Sequence, residues 1–155
     1  MKPKELSEST GKSVADLGID YKGGSFNCSD NKLTSLAGAP SHVDGGFLCS
    51  SNTLTSLEGA PSRVDGNFSC YNNELRSLKD VHKHITEIKG KFYAIKNPIN
   101  SHVLGLLLIK GVTKVQLDNG QVEEILNKHL GRGRAGMLMA QEELIEAGLE
   151  EFAQL

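Results

Sequence analysis

The chain has 155 residues, a formal net charge of −2, 38% hydrophobic residues and no tryptophan. That length suits one domain with a substantial core, and the near-neutral balance supplies no global field toward nucleic acid or an acidic membrane. The longest apolar run, Leu106 to Ile109, is far too short to span a bilayer.

Met1 to Glu5 is followed by no apolar stretch, so no secretory signal is expected. Three cysteines at repeat-equivalent positions do not make a disulfide framework, and a reducing cytoplasm is the expected setting. Residues 1 to about 16 are polar and read as a loose terminus. Ile19 and Tyr21 alternate like a strand, and Lys22-Gly23-Gly24 reads as a turn. Residues 1–24 are therefore expected to form an N-terminal cap whose hairpin covers the open edge of the first rung.

From Ser25 onward an internal repeat dominates. Phe26, Phe47 and Phe68 are 21 residues apart, as are Cys28, Cys49 and Cys70, and Asn31, Asn52 and Asn73. Leu33, Leu54 and Leu75 keep the same offset, as do Leu36, Leu57 and Leu78, while Gly38-Ala39-Pro40 recurs as Gly59-Ala60-Pro61 and Val43 as Val64. After a three-residue insertion, Ile88, Gly90, Phe92, Ala94, Asn97 and Ile99 form a fourth copy, and Val112, Val115, Leu117 and Gly120 keep the spacing of a degenerate fifth.

Phe and Cys two residues apart point to one face of a short strand. Stacked copies therefore give a parallel sheet with an inward Phe/Cys ladder, and the Leu pairs fill the turn side of each coil. Asn at the strand end can satisfy backbone groups of neighbouring coils that would otherwise be buried unpaired. Only six residues, including Gly-Ala-Pro, separate Leu36 from Val43, so the return path should be extended or polyproline-like. The longer gap between Leu78 and Ile88 admits one helical turn around Asp80 to Ile85. One coil buries little by itself, so both ends of the stack need caps.

Residues 101–155 change character and are expected to form a C-terminal α/β cap on the 25–100 solenoid. A short helix carries Val103, Leu104, Leu107 and Leu108 and stops at Gly111, followed by a strand over 112–117. Val122, Ile125, Leu126 and Leu130 repeat at helical spacing up to Gly131. A last helix is expected from about Arg134 to Ala153, with Leu138, Leu144, Ile145, Leu149 and Phe152 as its apolar face and Glu143, Glu146 and Glu150 opposite. The predicted architecture is an α/β, leucine-rich-repeat-like solenoid with a parallel sheet and a helical cap.

The segments Asn31-Lys-Leu-Thr-Ser-Leu36, Asn52-Thr-Leu-Thr-Ser-Leu57, Glu58-Gly-Ala-Pro61, Asn97-Pro-Ile-Asn-Ser101 and Gln141-Glu-Glu-Leu-Ile-Glu-Ala-Gly148 resemble the bacterial short-repeat class of leucine-rich repeats. They look closer still to leucine-rich-repeat-like proteins of tailed bacteriophages. The resemblance covers most of the chain from Ser25 and implies the fold and the cytoplasm of a phage-infected bacterium. It implies no activity. Phe and Cys stand where the usual motif has two Leu, which alters core volume.

No catalytic, cofactor or metal residues are expected. Successive ladder cysteines would sit roughly 4.8 Å apart in a row, rather than converging on one ion as zinc requires. His42, His82, His84, His102 and His129 show no metal-ligand spacing. Gly131-Arg-Gly-Arg134 lacks the context of a phosphate loop and reads as a basic interhelical linker.

The outward positions of the strands carry the binding signal. The first strand is small and polar, whereas later ones place Leu48, Asn67, Tyr71, Lys91, Tyr93 and Ile95 on the concave sheet face. Exposed apolar and aromatic groups gathered on one surface point to a protein partner. The competing account is that the cap or a second copy of the chain covers them. Residues 76–96 hold Arg76, Lys79, Lys83, Lys89, Lys91 and Lys96 against Asp80 and Glu87, which makes nucleic-acid binding through this zone the alternative function.

Overall fold

A computed structural model describes residues 11–155. The first ten residues, on which most of the expected loose terminus falls, lie outside it. Strands β1 (Phe26–Asn27), β3 (Phe47–Leu48), β5 (Phe68–Ser69), β7 (Lys91–Tyr93) and β8 (Lys114–Gln116) form one five-stranded parallel sheet in that order. Phe26, Phe47, Phe68, Phe92 and Val115 stand side by side in register. The coils thus advance by 21, 21, 24 and 23 residues, and the degenerate fifth copy completes the sheet within the segment expected to cap it.

The return path is extended, as its Gly and Pro residues require, and it does more than cross back. β2 (His42–Val43), β4 (Arg63–Val64) and β6 (Glu87–Ile88) pair into a second parallel sheet. Val43, Val64 and Ile88 point inward and are fully buried, while His42 and Arg63 face out. At the corner between the sheets the coils come so close that only glycine fits. A Cβ on Gly66 would lie 2.8 Å from the backbone of Gly45. The longer third coil takes up its extra residues as the single helical turn α1 (Val81–His84).

The core is the space between the two sheets. The four phenylalanine rings stack along it with centroids 5.7, 5.3 and 5.4 Å apart, within the range favoured by aromatic pairs. Cys28, Cys49 and Cys70 are free thiols with no exposed surface. Burial pushes Cys28 up to about 12 and raises Cys49 and Cys70 as well, so all three stay protonated and unreactive.

Between coils, the asparagine side chains do what strand hydrogen bonds cannot do at a turn. Asn52 Oδ1 accepts from the amides of Asn31 (3.0 Å) and Leu33 (2.9 Å), and its Nδ2 donates to the carbonyls of Cys28 (3.1 Å) and Cys49 (3.0 Å). Asn73 and Asn97 repeat the pattern one coil later each, accepting from Leu54 and Leu75. The fifth coil has Gly120 in the asparagine slot, and Asp118 takes the accepting role instead. Its two oxygens receive the amides of Lys96 (3.0 Å) and Asn97 (3.1 Å).

The ends differ from expectation in instructive ways. The predicted N-terminal hairpin is absent, because Ile19 to Gly24 forms no strand. A 3-10 turn, Val14–Leu17, makes a partial coil instead, with Val14 buried, Ser13 bridged to Ser35 and Ala15 donating to the Ala37 carbonyl. Tyr21 closes the phenylalanine stack edge-on at 5.7 Å from Phe26, its hydroxyl donating to Gly24 O and accepting from Asp44 N.

At the other end, a 3-10 helix (Leu104–Leu108) precedes β8, and helix α2 (Gly120–Lys128) closes its edge. Asn127 accepts from Val115 N at 2.8 Å and donates to Val115 O at 2.9 Å, and Glu123 accepts from Leu117 N at 2.8 Å. Side chains thus stand in for the next strand. Helix α3 (Gly133–Glu146) is shorter than expected, because Gly148 takes a left-handed φ of 76° and turns the tail back. Residues 151–154 then accept bonds from His102, Val103 and Leu104. Its buried face is also different: Gly136, Met137, Ala140 and Leu144 face inward, and Leu138 and Ile145 point to solvent at 49% and 48% exposure. The small residues decide this, since only Gly136 and Ala140 let the helix approach the rest of the cap closely.

This packing has two measurable outcomes. Asn52→Ala should lower unfolding stability by about 3 kcal/mol, because several buried backbone groups lose their partners. Asn31→Ala should lower it by less than about 1 kcal/mol, since Asn31 is half-exposed and its side chain donates only to Ser29 O. Urea unfolding of both variants measures this, and equal small losses would contradict the ladder. A water-soluble disulfide reagent should leave all three thiols unmodified in the folded protein and titrate all three in denaturant. Rapid native labelling would show that the cysteines are not core.

Candidate functional site

Register alone fixes which outward side chains are neighbours. Asn27, Leu48, Ser69, Tyr93 and Gln116 form the central row of the five-stranded sheet. Two residues further along each strand, on the same face, stand Ser29, Ser50, Tyr71, Ile95 and Asp118. Two residues before lie Ser25, Gly46, Asn67, Lys91 and Lys114.

Of the six residues singled out from sequence, the structure brings Tyr71, Tyr93 and Ile95 together on the third and fourth strands. Tyr71 is 40% and Ile95 36% exposed, and Tyr93 is half-buried. Leu48 is also half-buried, two strands away from Tyr93 with Ser69 between them. Ser50 and Ser69 sit low beneath these larger neighbours, buried and joined through their hydroxyls at 2.9 Å. The surface is therefore a shallow serine floor rimmed by Leu48, Tyr71 and Tyr93.

Asn67 has a structural part as well as an outward one, because its Oδ1 accepts from the Lys91 amide at 2.8 Å. Lys91 itself is exposed. Sequence reasoning did not assign Lys114 and Gln116 to this face, which β8 sets directly beside Lys91 and Tyr93. The available signal was Val115 in the phenylalanine slot. The cap helices leave the face open: α2 meets the edge of β8, and α3 packs on the 3-10 helix Leu104–Leu108.

The basic segment 76–96 is one full turn of the solenoid, so its cations radiate around the molecule instead of forming one patch. Lys83 leans on Asp80 at 3.4 Å, Lys89 leaves from the second sheet toward Asp65 at 3.6 Å, and Lys91 points from the first sheet. On that second sheet Asp65 also receives His42 at 3.0 Å and Arg63 at 3.2 Å. The hydrogen bond from His42, with Arg63 and Lys89 beside it, holds the Asp65 carboxyl below the usual carboxylate range. His42, Asp44 and Asp65 bring potential ligand atoms within 4.8 Å of one another. Arg63 and Lys89 already neutralise Asp65, so the group reads as an ion-pair network. In the cap, Glu143 is held low by Lys128 at 2.7 Å and then by His129 at 3.1 Å.

The thiols lie inside the core, where Cys49 Sγ donates to the Ser69 carbonyl at 3.4 Å. No helix of the described residues is long and apolar enough to cross a membrane. Comparison with protein-family models, with curated proteins and with solved structures finds no match.

Proposed function

We propose that the chain is a non-catalytic binding module that engages a protein through the outward face of the five-stranded sheet, around Tyr71, Tyr93 and Ile95. One observation carries this reading. Large apolar groups stand 36–40% exposed on a sheet face that the protein's own cap leaves open. A solenoid offers such a face as a continuous, rigid surface whose side chains are not needed by the repeat. Tyrosine suits a partly wet interface, joining a broad apolar ring to a polar tip.

The resemblance to phage repeat proteins supports placing the partner in the cytoplasm of an infected bacterium, with counter-defence or host takeover as the role. Nucleic acid is the weaker alternative, because the cations of residues 76–96 point in different directions.

Replacing both Tyr71 and Tyr93 with Ala should change unfolding stability by less than about 1 kcal/mol and weaken binding of the cognate protein by about 30-fold or more. Thermal melts and titration calorimetry measure the two effects. Lys89→Glu, on the other sheet, should leave affinity unchanged. A double tyrosine variant that folds and binds normally would remove the sheet face from the account.

A further inference from the structure

Lys91 and Lys114 are register partners on neighbouring strands, with backbones roughly 4.8 Å apart. Like charges so placed repel each other and cost stability. Among the described residues Lys22, Arg63, Lys83, Lys89 and Lys128 reach a carboxylate within 4.0 Å, whereas the other lysines and arginines do not, and Lys91 and Lys114 are the two of these set side by side in strand register. Among the described residues neither Lys91 nor Lys114 has such a partner, and both are exposed. The uncompensated pair lies on the tyrosine face itself, because Lys91, Tyr93 and Ile95 succeed one another at two-residue spacing on one side of the sheet.

Polarity across the face is uneven. The lysine row continues as Asn67, Gly46 and Ser25, all uncharged, so positive potential is confined to the C-terminal end of that row. On the far border stands Asp118, whose two oxygens are already engaged by backbone amides. Tyr93 lies between the two rows, and Tyr71 and Ile95 share the row of Asp118. A ligand complementary to this surface carries negative charge at one end and an apolar side chain beside it.

Resting on the sheet-face reading, we infer that the occupant is an acidic protein segment. It sets carboxylates on Lys91 and Lys114 and an adjoining aliphatic or aromatic side chain against Tyr71, Tyr93 and Ile95. A nucleic-acid strand fits less well. Its charge repeats along its whole length, which would carry phosphates past Asp118, and the face offers it only two lysines in a chain of net charge −2.

A random peptide library selected on the full chain tests this, followed by fluorescence anisotropy with the enriched peptides. Enrichment of Asp or Glu next to an apolar residue is expected. Lys91→Gln with Lys114→Gln should weaken those peptides about tenfold, with a reduced salt dependence. Tyr71→Ala with Tyr93→Ala should abolish their binding. Peptides without acidic bias that need the tyrosines but ignore the lysine change would overturn the acidic assignment and leave the sheet-face reading standing. Peptides indifferent to both changes would overturn the reading itself. Absence of any enrichment, or preferential binding of oligouridylate through the same lysines, also overturns the acidic-segment assignment.

Discussion

A buried carboxamide at each turn is the constraint on which the remaining structure depends. A parallel stack of two- and three-residue strands has few ladder hydrogen bonds, and every coil must bend sharply just after its strand. The bend strands backbone amides and carbonyls inside the molecule, where an unpaired polar group costs more than a hydrogen bond contributes. Asn52, Asn73 and Asn97 resolve this by accepting from the preceding coil and donating to carbonyls of both coils. Only a side chain that is both donor and acceptor, at that length, can do so.

The two ends obey the same accounting. In the fifth coil, where Gly120 stands in the asparagine slot, Asp118 supplies the acceptor, and beyond it, where the next coil is missing, Asn127 offers β8 a donor and an acceptor as a strand would. At the start, Tyr21 supplies an aromatic edge to Phe26, and its hydroxyl ties the first two coils together. At the C-terminal side the side chains of Asn127 and Glu123 occupy groups of the β8 edge, which limits edge-to-edge association there.

Much of this was legible because the repeat prints the inward residues at a fixed offset. Phe, Cys, Asn and Leu are constrained by neighbours of the same kind, so identity recurs. The second sheet was not legible beyond being extended, since pairs such as His42–Val43 and Arg63–Val64 are too short to show a period of two. Ile19 and Tyr21 alternate for the same number of residues as a strand of this fold, yet the ring is used as a lid. In α3 the exposed Leu138 and Ile145 misdirect a pattern drawn from hydrophobicity alone, because small residues select the packed face. The candidate site was read in part. Tyr71, Tyr93 and Ile95 stood out as apolar groups at outward positions, whereas Lys114 and Gln116 were hidden by a coil that retains neither Phe nor Asn.

The outward face is free to vary because the inward ladder and the asparagine row already fix the backbone, which is how a rigid repeat can present a particular surface. That surface therefore keeps its shape only while the coils stay locked. Amide hydrogen exchange of the native chain tests this most directly. The amides of Leu33, Leu54 and Leu75, each bonded to an asparagine Oδ1 of the next coil, should exchange only through global unfolding, as slowly as the amides of Cys49 and Cys70, which donate to carbonyls of the neighbouring strand. Exchange of these three at the rate of exposed turn amides would contradict the account.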